Sequence, residues 1–192
     1  VVDDCSTDGT VDLVAEKYAD LIQKGWLRLV TRWENHGFLS TRNLGVRHAS
    51  GDWVIFLDSD DEIIPDSASK MIDYMTNVTQ SFLYFRCLDG NTRTLIGPAT
   101  ETHQISYPAY INSGTPAEAL PVIKRDLVAR YPYDEDMRAS AGLAYARMMK
   151  EGQTMLWTDC VGRVFYQNRS DRLTYKRFAR AKFFLRGYVR FL

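Results

Sequence analysis

The sequence is poor in cysteine and histidine and has no long apolar run. It contains three cysteines and three histidines, all far apart and with no Cys-x-x-Cys spacing. This pattern argues against a zinc site and a disulfide framework, and it favours reduced thiols in a cytosolic protein. No stretch of about 18 apolar residues occurs, so we predict no transmembrane helix, and no signal peptide is visible.

The composition is typical of a folded domain. Hydrophobic residues make up 45% and aromatic residues 12% of the 192 residues, and the formal net charge is zero. No internal repeat or low-complexity segment is present. We therefore predict one globular domain over residues 1–170 and a separate segment over residues 171–192. Because Val1 and Val2 read as the end of a buried strand, we interpret the sequence as truncated at its N-terminus.

The most informative stretch is the WVIFLDSDD run over residues 53–61. Its five apolar, β-prone residues predict a strand that is buried on both faces of a parallel sheet. Three carboxylates follow directly, at the edge of the sheet where open α/β folds bind ligands. Carboxylates this close together repel each other unless a cation or hydrogen-bond donors hold them. Mg²⁺ or Mn²⁺ suits such oxygen ligands, and a substrate diphosphate can complete its coordination shell.

The order of elements predicts an α/β fold with a mostly parallel central sheet flanked by helices. Strand, helix, strand, helix and strand alternate over the first third of the chain, as in right-handed parallel crossovers. The region over residues 88–114 carries no clear pattern. Helices are predicted over residues 11–24, 39–49, 67–77, 125–131 and 143–150, and strands over 27–30, 53–57, 81–86, 120–124, 155–157 and 163–166.

The last segment differs from the rest of the chain in charge. From Arg172 onward there are seven basic residues and no acidic residue. Aromatic and apolar residues fall along one stripe, with most of the basic residues opposite. This pattern predicts a basic amphipathic helix over residues 171–192, which could lie on an anionic membrane or dock on the domain or on a partner.

Three motifs occur in order: VDDCSTDGT over residues 2–10, ENHG with TRNLG over 34–45, and GDWVIFLDSDD over 51–61. Together they resemble the inverting family 2 glycosyltransferases of the GT-A fold, which is Rossmann-like. The resemblance is dense over the first third of the chain and looser up to about Tyr166. A lone Asp-x-Asp is common by chance, but three motifs at family spacing are much more specific.

The resemblance implies a nucleotide-sugar donor, and it assigns four nucleotide-binding residues. Asp4, with Asp3 beside it, matches the acid that recognises the base. Arg42 matches a basic residue near the diphosphate, whose charge explains a guanidinium there. Asp58 is expected near the ribose. Considered alone, Asp3 could equally cap the first helix and Arg42 could be a surface cation.

For the metal, the resemblance places Asp60 on a Mn²⁺ or Mg²⁺ ion that bridges the diphosphate, with Asp61 as a second-line ligand. The implied mechanism is a single displacement. The metal neutralises the leaving diphosphate while one carboxylate deprotonates the acceptor hydroxyl, and the configuration at the anomeric carbon inverts. The alternative for these acids is a solvated loop that caps the following helix.

The sequence departs from the family at the catalytic base. The family's acidic pair precedes an Arg and a Gly that correspond to Arg147 and Gly152, which puts Ser140 and Ala141 at the pair. Neither residue can accept the proton. Three interpretations stay open: missing residues before Ala141, a relocated base such as Asp136, or a chain that binds the nucleotide without transferring sugar.

We therefore predict a metal-dependent inverting glycosyltransferase that moves a sugar, with a UDP-sugar as the expected donor, to a glycan or lipid-linked acceptor in cell-surface polysaccharide synthesis. It would be cytoplasmic, at the inner face of the membrane, with no nucleic-acid partner. The alternatives are an inactive nucleotide-sugar-binding module or partner subunit, and a nucleotidyltransferase. Against the latter, no Gly-rich, Lys-containing phosphate loop is visible.

Overall fold

Three long buried strands form the centre of the protein. The structure is a computed structural model that describes residues 1–136 and 141–166. Strand β5 (Phe82–Asp89) pairs with β7 (Ala119–Lys124) on one side and with β8 (Met155–Phe165) on the other, and almost every residue in the first half of each strand is buried. Apolar runs of this kind are typical of strands that are covered on both faces.

Alternate residues of these strands point into two separate cores. On β5, Phe82 and Tyr84 join the larger core, while Leu83 and Phe85 join the smaller one. The larger core also takes residues from helices α3 (Phe38–His48) and α7 (Ala141–Lys150). The smaller core is covered by residues of α4 (Ala68–Asn77), including Met71. The sheet is therefore flanked by helices on both faces.

The remaining elements complete the sheet and its connections. A 3₁₀ turn, Pro65–Ser67, precedes α4. The other helices are α1 (Thr10–Lys17), α2 (Ala19–Gln23), α5 (Tyr107–Ser113) and α6 (Arg125–Arg130), and the other strands are β1 (Val2–Asp3), β2 (Val30–Thr31), β3 (Trp53–Ile55), β4 (Glu62–Ile63) and β6 (His103–Ile105).

The α/β class is confirmed, but the strand pairing is mixed rather than mostly parallel. β1 pairs with β2 in a small parallel sheet. In the six-stranded sheet, of order β3-β7-β5-β8-β4 with β6 on β8, only β5 and β8 pair in parallel; the other pairs described are antiparallel. An apolar run shows that a strand is buried but does not specify the direction of its neighbours, which explains the error.

The expected burial of β3 on both faces is also wrong. The strand ends at Ile55, and the side chains of Ile55 and Leu57 are 41% and 43% exposed. Ile55 and Leu57 point to the same face while Phe56, which points to the other, is buried, so one face is left partly uncovered. The consequence is that residues 56–61 form a loop at the open side of the sheet.

Most predicted elements occur within a few residues of their expected positions. The predicted helix over 11–24 is divided into α1 and α2, and the two expected closing strands are one continuous strand, β8. The unassigned region contains β6 and α5. The predicted C-terminal helix over 171–192 lies outside the described residues. Within the part of the chain that is described, no helix is long and apolar enough to cross a bilayer.

Candidate active site

Helix α3 organises the residues that the sequence predicts to bind a nucleotide, beginning with Asp4 at its N-terminus. The Asp4 carboxylate accepts hydrogen bonds from the backbone N–H groups of His36 (3.0 Å) and Gly37 (2.7 Å), and Arg32 lies 3.3 Å away. Unpaired N–H groups and the helix dipole favour a carboxylate at this position. Asp4 therefore fixes the turn that leads into α3 to the end of β1.

Asp3 has a different environment from that of Asp4. It is buried in β1, and its carboxylate accepts hydrogen bonds from the backbone N–H of Ser6 (3.0 Å) and from the Ser6 hydroxyl. The structure thus places Asp3 within its own turn. It does not cap α1, which begins at Thr10 after Gly9.

Arg42 projects from the middle of α3 to the loop after β3. Its guanidinium donates a hydrogen bond to Asp58 at 2.8 Å and lies 5.3 Å from the ring centroids of both Phe38 and Phe56. The Arg42 side chain is 15% exposed and that of Asp58 is 48% exposed. Two aromatic contacts and one carboxylate hold the guanidinium in place, with the acid at the solvent boundary.

The acids of the loop over residues 58–61 point in different directions. Asp60 is half-buried, and the backbone N–H of Asp61 donates to the carbonyl of Asp58 at 3.1 Å. The Asp61 side chain is fully buried and turns inward, where it accepts hydrogen bonds from Arg163 (3.0 Å) and from the backbone N–H of Tyr166 (3.2 Å). Asp58 thus lies at the solvent boundary, whereas Asp61 fastens the loop to β8.

Arg163 is a buried guanidinium with several acceptors. Besides Asp61 it donates to Glu118 at 2.8 Å, to the carbonyl of Ala119 at 3.2 Å and to the thiol sulfur of Cys87 at 3.2 Å. A charge with 1% exposure is tolerated only when it is paired and hydrogen-bonded in this way. Arg163 therefore ties the acidic loop to the start of β7.

The burial of Asp61 has an electrostatic consequence. Burial raises the pKa of its carboxyl from the ordinary 3.8 to about 6, Arg163 opposes this rise, and the charges of Asp60 and Asp58 add to it. The Asp61 carboxyl therefore depends on its ion pair with Arg163 in order to be ionised at neutral pH.

Two buried tyrosines pack beside the start of the loop that follows β3. The Tyr133 and Tyr145 hydroxyls lie 3.2 Å apart, and the Tyr133 ring packs edge-on against Phe56. Burial raises the pKa of Tyr145 above its usual value, Arg42 lowers it, and the carboxylates Glu118 and Asp58 raise it further. The negative charges of Glu118 and Asp58 thus both disfavour ionisation of the buried Tyr145 hydroxyl.

The acidic run over residues 134–136 has mainly structural contacts. Asp134 accepts two hydrogen bonds from Arg147 of α7, at 3.0 and 2.8 Å. Glu135 accepts one from Ser40 of α3 at 2.7 Å. Asp136, the base candidate from the sequence, follows these anchored residues and is exposed.

The donor set fits a divalent cation that is shared with a substrate. Among residues 1–136 and 141–166, no cluster of three or more His, Cys, Asp or Glu residues could hold a metal ion by itself. With Asp61 paired to Arg163, the remaining carboxylates of the loop are Asp58, which is 48% exposed, and Asp60, which is half-buried. Mg²⁺ and Mn²⁺ are commonly bound through one or two carboxylates plus phosphate oxygens, so this set suits a diphosphate-bound ion.

The structure therefore brings Arg42 of α3 to Asp58, two residues before Asp60, and places Asp4 at the N-terminus of the same helix. The sequence reasoning missed Arg163 and Glu118. A signal existed, because an arginine inside the apolar run of β8 requires a buried carboxylate partner. Nothing in the sequence indicated that Asp61 and Glu118 are the partners.

Comparisons with known proteins identify the family to which the sequence is similar. The family model described as Glycosyl transferase family 2 matches residues 1–126. The succinoglycan biosynthesis protein ExoO of Rhizobium meliloti is 34% identical over 119 residues, which is 59% of this chain and 33% of ExoO. The putative teichuronic acid biosynthesis glycosyltransferase TuaG of Bacillus subtilis is 36% identical over 84 residues, 44% of this chain and 32% of TuaG.

Solved structures show the same fold at low sequence identity. S. aureus TarS 1-349 in complex with UDP superposes with a TM-score of 0.70 at 22% identity, covering 88% of this chain and 50% of that one. The mannosyltransferase PcManGT from Pyrobaculum calidifontis, in complex with GDP-Man and Mn²⁺, gives a TM-score of 0.66 at 20% identity, covering 99% and 53%. The expected GT-A-like fold is confirmed. The chain spans about a third of the curated relatives and half of the solved chains.

Proposed function

Because the chain belongs to glycosyl transferase family 2, we propose that it carries the donor site of a metal-dependent inverting glycosyltransferase that uses a UDP-sugar. The observation that carries the proposal is the Arg42–Asp58 ion pair at the open end of β3, with Asp60 beside it. A guanidinium and two carboxylates on one loop can bind a diphosphate and its cation together.

Each nucleotide-side residue has a proposed task. Asp4, fixed at the N-terminus of α3, would orient the base of the nucleotide. Asp3 would stiffen the turn that follows β1. Arg42 would donate to a diphosphate oxygen, and Asp58 would accept from the ribose. Arg42 is already held between two aromatic rings, so little side-chain freedom is lost when the donor binds.

Asp60 is the proposed residue for Mn²⁺ or Mg²⁺, and we assign Asp61 to holding the loop rather than to the cation. When bound, the ion supplies positive charge beside the leaving diphosphate. The protein's part is positional, because the hydrogen bond between Asp61 and Arg163 keeps the loop at one distance from the sheet. Transfer then needs a carboxylate that accepts the proton of the acceptor hydroxyl. Asp136 stays the sequence-based candidate for that role.

Turnover of UDP-sugars tests the proposal. The protein would be incubated with a panel of UDP-hexoses and UDP-N-acetylhexosamines, in Mn²⁺ or in EDTA, and UDP release would be followed with and without saccharide acceptors. We expect metal-dependent release of UDP with at least one donor, and inversion at the anomeric carbon of the product. UDP release that is equally fast in EDTA would contradict the metal requirement.

A nucleotide-sugar-binding module is the second candidate. The observation that favours it is Ala141 at the first position of α7, where the resemblance leads one to expect an acid; Ser140 lies outside the described residues. A module of this kind would bind UDP but release none from any UDP-sugar under any metal or acceptor condition. The turnover assay therefore distinguishes the two functions directly.

We also propose a glycan or lipid-linked saccharide as the acceptor, reached at an anionic membrane surface through residues 172–192. The seven basic residues of this stretch, with no acidic residue, support the membrane contact. Vesicles containing anionic lipid should bind the protein, and added salt should weaken the binding because it screens the charges. Binding that is indifferent to salt, or equally strong to neutral vesicles, would contradict it.

A further inference from the structure

Glu118 is a half-exposed carboxylate directly before β7. Its side chain is 47% exposed, and Oε1 accepts a hydrogen bond from Arg163 at 2.8 Å. Arg163 is its one hydrogen-bonded partner within the described part of the chain. One carboxylate oxygen is therefore fixed by a buried cation, and the other is available to a ligand.

Arg163 places this carboxylate beside the acidic loop. The same guanidinium that holds Glu118 through one nitrogen holds Asp61 through the other, at 3.0 Å. The backbone N–H of Asp61 in turn bonds the carbonyl of Asp58. Only one guanidinium thus separates Glu118 from the loop proposed to bind the donor diphosphate.

The electrostatic environment agrees with this placement. Burial raises the pKa of Tyr84 well above its usual value, and among the charges that add to this is Glu118. Glu118 and Asp58 both raise the pKa of Tyr145. The backbone gives the geometric reason: β3 and β7 pair antiparallel and the Phe56 N–H donates to the carbonyl of Pro121 at 3.4 Å, so the loop after β3 leaves the sheet near the start of β7, next to Glu118.

We propose that Glu118 is the catalytic base of the transfer, a role that rests on the proposed function. One of its carboxylate oxygens accepts the proton of the acceptor hydroxyl as that hydroxyl oxygen forms its bond to the anomeric carbon. The bond from the anomeric carbon to the diphosphate breaks at the same time, and the diphosphate leaves with the electron pair. Proton, nucleophile and leaving group are thereby all accounted for.

Arg163 fixes the orientation of Glu118. A base works best when a third group fixes its direction, and Arg163 does this for Glu118 from a fully packed position. Asp136 is carried by a turn whose neighbours, Asp134 and Glu135, are anchored to α7 and α3. Those contacts connect the turn to the helices rather than to the loop over 58–61.

The test is Glu118→Gln in the full protein, with UDP-sugar turnover and UDP affinity measured in parallel. The introduced amide would keep an oxygen that accepts from Arg163, so the network around Asp61 should persist. We expect kcat to fall about 100-fold or more, in the range of lost general-base catalysis, with the Kd for UDP changed less than about threefold. The matched control Glu16→Gln, on the exposed face of α1, should retain normal kcat.

A second readout separates a base from a merely structural residue. Azide needs no deprotonation, so added azide should restore UDP release in Glu118→Ala and yield a glycosyl azide of inverted configuration. A Glu118→Gln protein that turns over normally, or an Asp136→Asn protein that alone loses kcat, would overturn the assignment while leaving the proposed function intact. If the wild-type protein binds UDP but never turns a donor over, the proposed function fails first, and the base with it.

Discussion

Replacing Asp60 with asparagine is expected to reduce metal-dependent turnover of a UDP-sugar at least about 100-fold, the size typical of losing one charge-stabilising group. Asparagine keeps the size of the side chain but removes the negative charge that a divalent cation requires. UDP binding measured in Mn²⁺ should weaken as well, toward the value of the wild-type protein in EDTA. The measurements are kcat and the calorimetric Kd of UDP at several Mn²⁺ concentrations.

Asp73→Asn is the matched control for Asp60→Asn, because Asp73 is an exposed acid on α4. It should leave both quantities unchanged. An Asp60→Asn protein with wild-type dependence on Mn²⁺ would show that the acids of this loop are structural. Loss of UDP binding to the same degree with and without metal would show that the loop had collapsed, which thermal unfolding of the variant would detect.

Replacing Arg163 with methionine should lower the free energy of unfolding by about 3–5 kcal/mol, since it leaves Asp61 as an uncompensated buried charge. Arg163 is 1% exposed, and the Asp61 side chain is fully buried. Methionine retains much of the hydrophobic volume, so most of the loss would come from electrostatics rather than packing. Urea unfolding at pH 7 measures the effect.

The control and the rescue sharpen this prediction. Arg130→Met, at the exposed end of α6, should change the free energy of unfolding by less than about 0.5 kcal/mol. Adding Asp61→Asn to Arg163→Met should recover a substantial part of the loss, because a neutral amide is cheaper to bury than an unpaired carboxylate. Equal losses for the Arg163 single and double variants would mean that the ion pair does not dominate here.

The elements that the sequence predicted well are those in which local pattern and tertiary role coincide. Helix α3 and strand β5 occur close to their expected bounds because an amphipathic or apolar run suffices to define each. Whether neighbouring strands run parallel or antiparallel could not be predicted from such local patterns. The antiparallel return of β7 between β3 and β5 depends on the course of the chain through residues 90–118, where the sequence pattern is weak.

The candidate site shows the same division. Arg42, Asp58 and Asp60 were predicted from motif spacing, and the structure brings them together. Asp61 was grouped with the metal ligands because it is adjacent in sequence. Its inward turn toward Arg163 is a contact between residues 102 positions apart, which no local pattern contains. Glu118 was missed for the same reason, because the feature that singles it out is its hydrogen bond to Arg163, which is distant in the sequence.

Calorimetric titration of UDP into the full protein, in Mn²⁺ and then in EDTA, tests the central claim most directly. We predict saturable binding at one site in Mn²⁺ and binding weakened at least about tenfold in EDTA. The reason is that the carboxylates at the site and the diphosphate are all negatively charged, and a shared cation would hold them together. Asp73→Asn would serve as the reference protein. No heat of binding in either buffer would contradict a nucleotide-sugar donor site at Asp58 and Asp60.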